Sequence, residues 1–264
     1  MNRRGGWRIA GWAVGVALLG ALCFAAYEVS EAPGSQVFGK TLVSGPADER
    51  IVALTFDDGP NPPYTDKILD VLAKEKVHAT FFLVGRAVAA YPKVALRELR
   101  DGNALGNHAW EHEHLIMLTR TQLRTSLQRT DDAIFKATGT HTHLMRPPFG
   151  SRDWIVLEVA SKMGYTPVMW SVPLVGDWEY PPATVIAQRV LDNVHDGSIV
   201  VLHDGNRGQL CTAQHLQPHI CDRSSDIEAT RIIVETLKSR GYRFVTVPQL
   251  MDLRPMRTPA PGAE

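Results

Sequence analysis

Seven short, mostly apolar runs recur along the chain, and most are separated by a stretch long enough for a helix. They are RIVALTF from residue 50, HATFFLV from 78, NALGNH from 103, HLMRPPF from 143, TPVMWSV from 166, SIVVLHD from 198 and YRFVTV from 242. Several are apolar on consecutive positions, as strands buried on both faces are. The stretches between them carry helical spacing. Ile68, Leu69, Val71 and Leu72 share one face; Leu123, Leu127 and Ile134 form another, with Gly139 as a stop; Ile227, Val234 and Leu237 form a third, ended by Gly241. Strands alternating with helices imply a parallel α/β sheet, closed into a barrel or left open. With 264 residues, 44% of them hydrophobic, the chain can bury a sizeable core as one large domain or two small ones.

Lysine plus arginine equals aspartate plus glutamate at 28 each, and no basic run stands out. A nucleic-acid partner is therefore not expected. The N-terminus is different in kind. Residues 1–8 form a basic stub with Arg3, Arg4 and Arg8, followed by the uncharged stretch Ile9–Tyr27. As a helix that stretch would span roughly 28 Å, close to the hydrocarbon thickness of a bilayer. Arginines before it and Glu28 after it predict a cytoplasmic N-terminus and an exported remainder. The run is longer than a signal-peptide core, which favours an uncleaved membrane anchor over a secreted, cleaved product. Residues 28–49, rich in Gly, Pro and Ser, read as a linker. Export permits disulfides, and Cys211 and Cys221 share one polar loop, so a bridge between them is expected.

Polar clusters fall where the strands end. Asp57 and Asp58 end the first, and His108 ends the third with His112 just beyond. Arg146 and Phe149 end the fourth, Asp177 and Trp178 follow the fifth, and His203 and Asp204 end the sixth. That end of a parallel sheet is where ligands and chemistry gather. Two imidazoles and one carboxylate make a facial set that leaves positions open on a metal ion for water and substrate. Either Asp57 or Asp58 could complete the set with His108 and His112. The other carboxylate would then face the water, because the backbone turns at a strand end. His203 suits a proton donor near neutral pH.

TFDDGP, NHAWEH, RPPFG, DW and VVLHDG occur in this order between about Arg50 and Val247. Together they resemble the polysaccharide deacetylases with a NodB homology domain, carbohydrate esterase family 4. The resemblance implies a distorted seven-stranded (β/α) barrel over residues 50–250, preceded by the membrane helix and followed by a tail at 251–264. It makes Asp57 the general base and Asp58, His108 and His112 the metal ligands. Arg146 would orient Asp57, Asp177 would orient His203, and His203 would be the general acid. Phe149 and Trp178 would line the groove, the backbone N–H near Phe149 would help bind the oxyanion, and Val201 and Leu202 would shape the acetyl pocket. The family often has Tyr where Phe149 stands, and its second Asp, three residues before the Asp-Trp pair, is Leu174 here. Residues 205–225 look like an insertion at the catalytic end.

The implied reaction is removal of N-acetyl groups from N-acetylhexosamines of a polysaccharide, peptidoglycan or chitin-like. Zinc is the default ion, with cobalt, manganese or nickel also fitting two nitrogens and an oxygen. The alternatives are an O-acetyl esterase on xylan, a small-amide hydrolase of a related barrel, and a non-catalytic glycan-binding module. A monomer with an extracytoplasmic catalytic domain is expected, with the acetylated glycan and the membrane as partners.

Overall fold

The computed structural model describes residues 12, 14–16, 18–22, 24, 32–173, 175–210 and 221–253. All seven predicted runs contain strands: β1 (Ile51–Asp57), β2 (Thr80–Leu83), β3 (Ala104–Asn107), β4 (Leu144–Met145), β5 (Thr166–Pro167), β6 (Ser198–His203) and β7 (Arg243–Phe244). The helices are α1 (Tyr64–Glu75), α2 (Gly85–Ala90), α3 (Pro92–Arg100), α4 (Arg120–Thr138), α5 (Trp154–Lys162), α6 (Ala183–Asn193), α7 (Ser224–Ser239) and α8 (Val247–Asp252). Helix α4 begins in a capping box between Thr119 and Gln122 and stops at Gly139, which takes φ +75°.

Every strand pairing is parallel, in the order β5-β4-β3-β2-β1-β6, and β7 lies beside the first residues of β1. The result is a half-barrel of parallel strands, consistent with the expected barrel but not closed by strand pairing. Strands β4 and β5 have two residues each; after β4, Pro147 and Pro148 remove the N–H groups that a longer ladder needs. The gap between β5 and β6 is crossed by residues expected to be linker. Leu42 makes a parallel bridge to Val168, and Ser44 an antiparallel bridge to Ser198. This part of the 28–49 segment is therefore structural.

The strand period of two sorts the side chains. On β1, Val52, Leu54 and Phe56 face outward and pack with Ile68, Leu72, Ile233 and Val234 of α1 and α7 in the main core. Ile51 and Ala53 face inward into a smaller cluster with Phe82, Ile199, Val247 and Leu250. Thr55 and Asp57 continue that inward face toward the C-terminal end of the strand. At Gly106 a Cβ would lie 2.3 Å from the Phe82 ring, so glycine on β3 is what lets Phe82 fill the interior.

No helix among the described residues is long and apolar enough to cross a membrane. Residues 9–11, 13, 17, 23 and 25–27 of the expected anchor Ile9–Tyr27 lie outside those residues, as does Cys211 of the expected bridge. Cys221 itself is buried, and its carbonyl accepts the Asn61 side-chain amide at 3.3 Å.

Candidate active site

Strand alternation should send Asp57 and Asp58 to opposite sides. Asp58 instead takes φ +78°, a left-handed conformation that Asp tolerates better than most residues. The kink brings both carboxylates to one site. A cluster of groups then converges on Asp58. His108 Nε2 lies 3.4 Å and His112 Nε2 3.1 Å from Asp58 Oδ1, and all three residues are buried. Their candidate ligand atoms lie within 4.8 Å of one another.

His108 Nδ1 donates to the Arg146 carbonyl at 2.7 Å, which leaves Nε2 with its lone pair toward the cluster. Burial opposes the charge on Asp58, yet the imidazoles of His112 and His108 hold its carboxyl well below the usual carboxylate range. Even so, Asp58 Oδ1 is buried with no hydrogen-bond partner. A buried acceptor left open while two imidazole nitrogens point at it fits a divalent cation with a facial His-His-Asp set.

Asp57 belongs to a different partner. Arg146, fully buried, donates from Nη1 to Asp57 Oδ1 at 2.7 Å and to Thr55 Oγ1 at 2.8 Å. Its Nε and Nη2 donate to the carbonyls of Val168 and Met169, and its guanidinium lies 4.2 Å from the centre of the Phe82 ring. An arginine with all these donors engaged is a fixed charge that orients one carboxylate oxygen.

His203 pairs in register with Asp57 across the β1–β6 ladder. Asp177, in a short 3-10 turn, lies 2.9–3.0 Å from His203 Nδ1 and also accepts its backbone N–H at 2.7 Å. Burial works to lower the His203 pKa, but the Asp177 carboxylate overrides it and the group is pushed up to about 9.

The groove above these residues has a volume of about 530 Å³. Phe149 (43% exposed) and Trp178 (42%) are walls, with the Phe149 ring stacked on His114 at 3.9 Å. Phe149 takes φ +61°, uncommon for a residue with a side chain. Val201 lines the groove as expected, but Leu202 does not: it is fully buried in the outer core. The period of two explains the correction, since Ile199, Val201 and His203 face inward and Val200 and Leu202 face the helices.

Sequence reasoning passed over the polar ties that hold the two strand ends together. Asp204 is fully buried; its Oδ2 accepts Thr65 Oγ1 at 2.5 Å and its carbonyl accepts the Asn61 amide at 3.1 Å. Burial pushes its carboxyl up to about 7. Asp204 was named as a strand end without this role, and Arg207, whose backbone N–H donates to Asp58 Oδ2 at 2.5 Å, was not named at all. The one signal for both was their place directly after the His203 strand. His141, by contrast, pairs with Asp131 away from the groove.

The family model described as polysaccharide deacetylase matches residues 44–168. The peptidoglycan-N-acetylmuramic acid deacetylase PdaC of Bacillus subtilis is 35% identical over 210 residues, 80% of this chain and 40% of that protein. A peptidoglycan-N-acetylglucosamine deacetylase of Bacillus cereus is 35% identical over 207 residues, 78% of this chain and 90% of the relative. Among solved structures, BA3943 of Bacillus anthracis, described as a CE4 family pseudoenzyme, superposes with a TM-score of 0.71 at 29% identity, over 81% of this chain and 70% of the other. The chain thus spans less than half the length of PdaC.

Proposed function

The chain belongs to the polysaccharide deacetylase family, and from that premise we propose that it hydrolyses N-acetyl groups from N-acetylhexosamines of a peptidoglycan or chitin-like glycan. The observation that carries this reading is the pairing of Asp57 with His203 across β1 and β6. Each is tied to its own counter-charge, and the buried Asp58–His108–His112 group lies beside them.

Asp58, His108 and His112 would hold a divalent ion, zinc by default. Such an ion, when bound, polarises the acetamide carbonyl and acidifies water. Asp57, oriented by Arg146, accepts the proton of the attacking water. The water oxygen adds to the acetyl carbon, and the backbone N–H near Phe149 donates to the oxygen that gains charge. The C–N bond then breaks. His203, kept protonated by Asp177, gives its proton to the departing amine, so acetate and a free amino sugar leave. General acid–base steps of this kind contribute about 10²–10⁴-fold each.

The test is acetate release from acetylated chito-oligosaccharides, peptidoglycan and acetyl-xylan, each with and without a chelator. Chelator-sensitive release from the first two is expected. Release from xylan alone would instead make the protein an O-acetyl esterase. No release from any of them with metal restored would overturn the enzyme reading and leave a glycan-binding protein, as the likeness to a pseudoenzyme allows.

We further propose that Ile9–Tyr27 anchors an exported catalytic domain and that Cys211 bridges Cys221. Fractionation of the full chain and non-reducing peptide mass analysis check these two readings.

A further inference from the structure

We propose that Arg207 reads an anionic substituent on the hexosamine being deacetylated, a carboxylate on its 3-O-lactyl ether or on a peptide attached there. The groove would then prefer an acidic glycan to a neutral one. This inference rests on the deacetylase reading and narrows its substrate.

Arg207 stands at φ +43°, in the left-handed region where glycine or asparagine would be expected. An arginine held there carries backbone strain, which is retained where the surrounding structure over-determines it. The lock is visible. The Arg207 backbone N–H donates to Asp58 Oδ2 at 2.5 Å. Two residues earlier, Gly205 packs so closely on Asp58 that a Cβ would lie 2.2 Å from its carbonyl oxygen. The arginine is thereby set at a constant place beside a candidate metal ligand. Its side chain is exposed, lines the groove and lies 5.9 Å from the centre of the Phe149 ring. Among the described residues it has no ion pair with an acid, and residues 211–220 contain no Asp or Glu.

The rest of the groove points the same way. Among the described residues, Asp58 is the only carboxylate lining the groove, against Arg207 and Arg223. Arg223 is buried under the Tyr180 ring at 5.0 Å and donates from Nε to the Gly205 carbonyl at 2.6 Å. Its Nη1 makes no hydrogen bond and lies 3.8 Å from Asp226. Asp58 faces the candidate metal position and Arg223 faces Asp226, so Arg207 is the cation of this lining whose guanidinium has no carboxylate beside it among the described residues. A hexosamine whose 2-acetamido group reaches Asp58 carries its 3-substituent on the adjacent ring carbon, beside the acetamide. A carboxylate there meets a planar guanidinium suited to bidentate pairing.

The experiment compares three oligosaccharides of equal length with the metal-loaded full chain: free 3-O-lactyl groups, lactyl groups converted to the primary amide, and lactyl groups joined to a short peptide ending in carboxylate. We expect wild type to favour a carboxylate-bearing glycan over the amide by about tenfold in kcat/KM, mainly through KM and less so at high salt. In Arg207→Asn, which suits the left-handed backbone, that ratio falls toward one. Arg207→Lys retains part of it, and Arg207→Glu reverses it. Whichever carboxylate arm shows the preference identifies the source of the anion. An acid-to-amide ratio that is the same in wild type and Arg207→Asn overturns the proposal. Absence of acetate from all three glycans with wild type, while chito-oligosaccharides still release it, overturns this substrate assignment alone; absence from chito-oligosaccharides as well overturns the deacetylase reading itself.

Discussion

Asp177 grips His203 twice: its Oδ2 accepts the backbone N–H at 2.7 Å, and both carboxylate oxygens lie within 3.0 Å of Nδ1. The first contact places the residue and the second sets its charge. Because Nδ1–H is engaged, Nε2 is the atom left to deliver a proton.

That contact predicts a basic limb in the rate. The His203 pKa is raised to about 9, so the protonated donor is present at neutral pH and is lost as pH rises through that value. A bound divalent ion repels the imidazolium and brings the limb of the loaded enzyme lower. Asp177→Asn removes the carboxylate, so the limb should fall by a unit or more toward the ordinary histidine range. The kcat–pH profile of the two proteins checks this, and NMR titration of His203 without metal checks the shift directly. A limb unmoved by Asp177→Asn would remove Asp177 from this role.

The Arg146–Asp57 pair predicts a stability effect apart from catalysis. Both side chains are buried, so Arg146→Met leaves a carboxylate uncompensated in the interior. Removing one partner of such a pair typically costs about 3–5 kcal/mol. Denaturant unfolding should show a loss of that order, and adding Asp57→Asn should recover part of it. A loss in the double variant equal to the sum of the two single losses would mean that the two residues are not coupled.

The division of labour between the two carboxylates predicts opposite metal behaviour. Asp58→Asn, His108→Ala and His112→Ala should each lose bound metal and the upward shift in melting temperature that added zinc produces in wild type. Asp57→Asn should keep the metal while turnover drops about 10²–10⁴-fold. Elemental analysis and thermal scans with and without zinc separate the two classes. Metal loss in Asp57→Asn would reverse the assignment.

Gly205 predicts how closely the two strand ends must approach. A Cβ there would lie 2.2 Å from the Asp58 carbonyl oxygen and 2.3 Å from its carbon, both backbone atoms that cannot swing aside. Gly205→Ala should cost about 1–3 kcal/mol as an overpacking change, and it should weaken zinc binding because Asp58 is what moves. A variant that unfolds like wild type and binds zinc equally would contradict the close approach.

Much of the frame was legible in the chain itself. Alternating apolar runs and helical faces located every strand, and the five clusters at the strand ends named the residues the structure brings together. The prolines in RPPFG were not read as a limit on β4, and neither the two-residue strands β4 and β5 nor the crossing by Leu42 and Ser44 was anticipated. The least legible residues were those whose place depends on the path of a loop. Arg207 looks like any surface arginine until its backbone is seen against Asp58.

The sequence by itself determined the parallel α/β class, the sites of the polar strand ends and the residue types available for hydrolysis, because period and residue chemistry are local properties. Only the tertiary structure decided how they are shared out. A positive φ at Asp58 brings neighbouring carboxylates to one site, and an arginine 89 positions away takes hold of only one of them. The strand period turns Val201 toward the groove and Leu202 into the core. Backbone torsions at strand ends and contacts between residues distant in the chain carry no local signature, so the roles of adjacent residues separate only when the strands lie side by side.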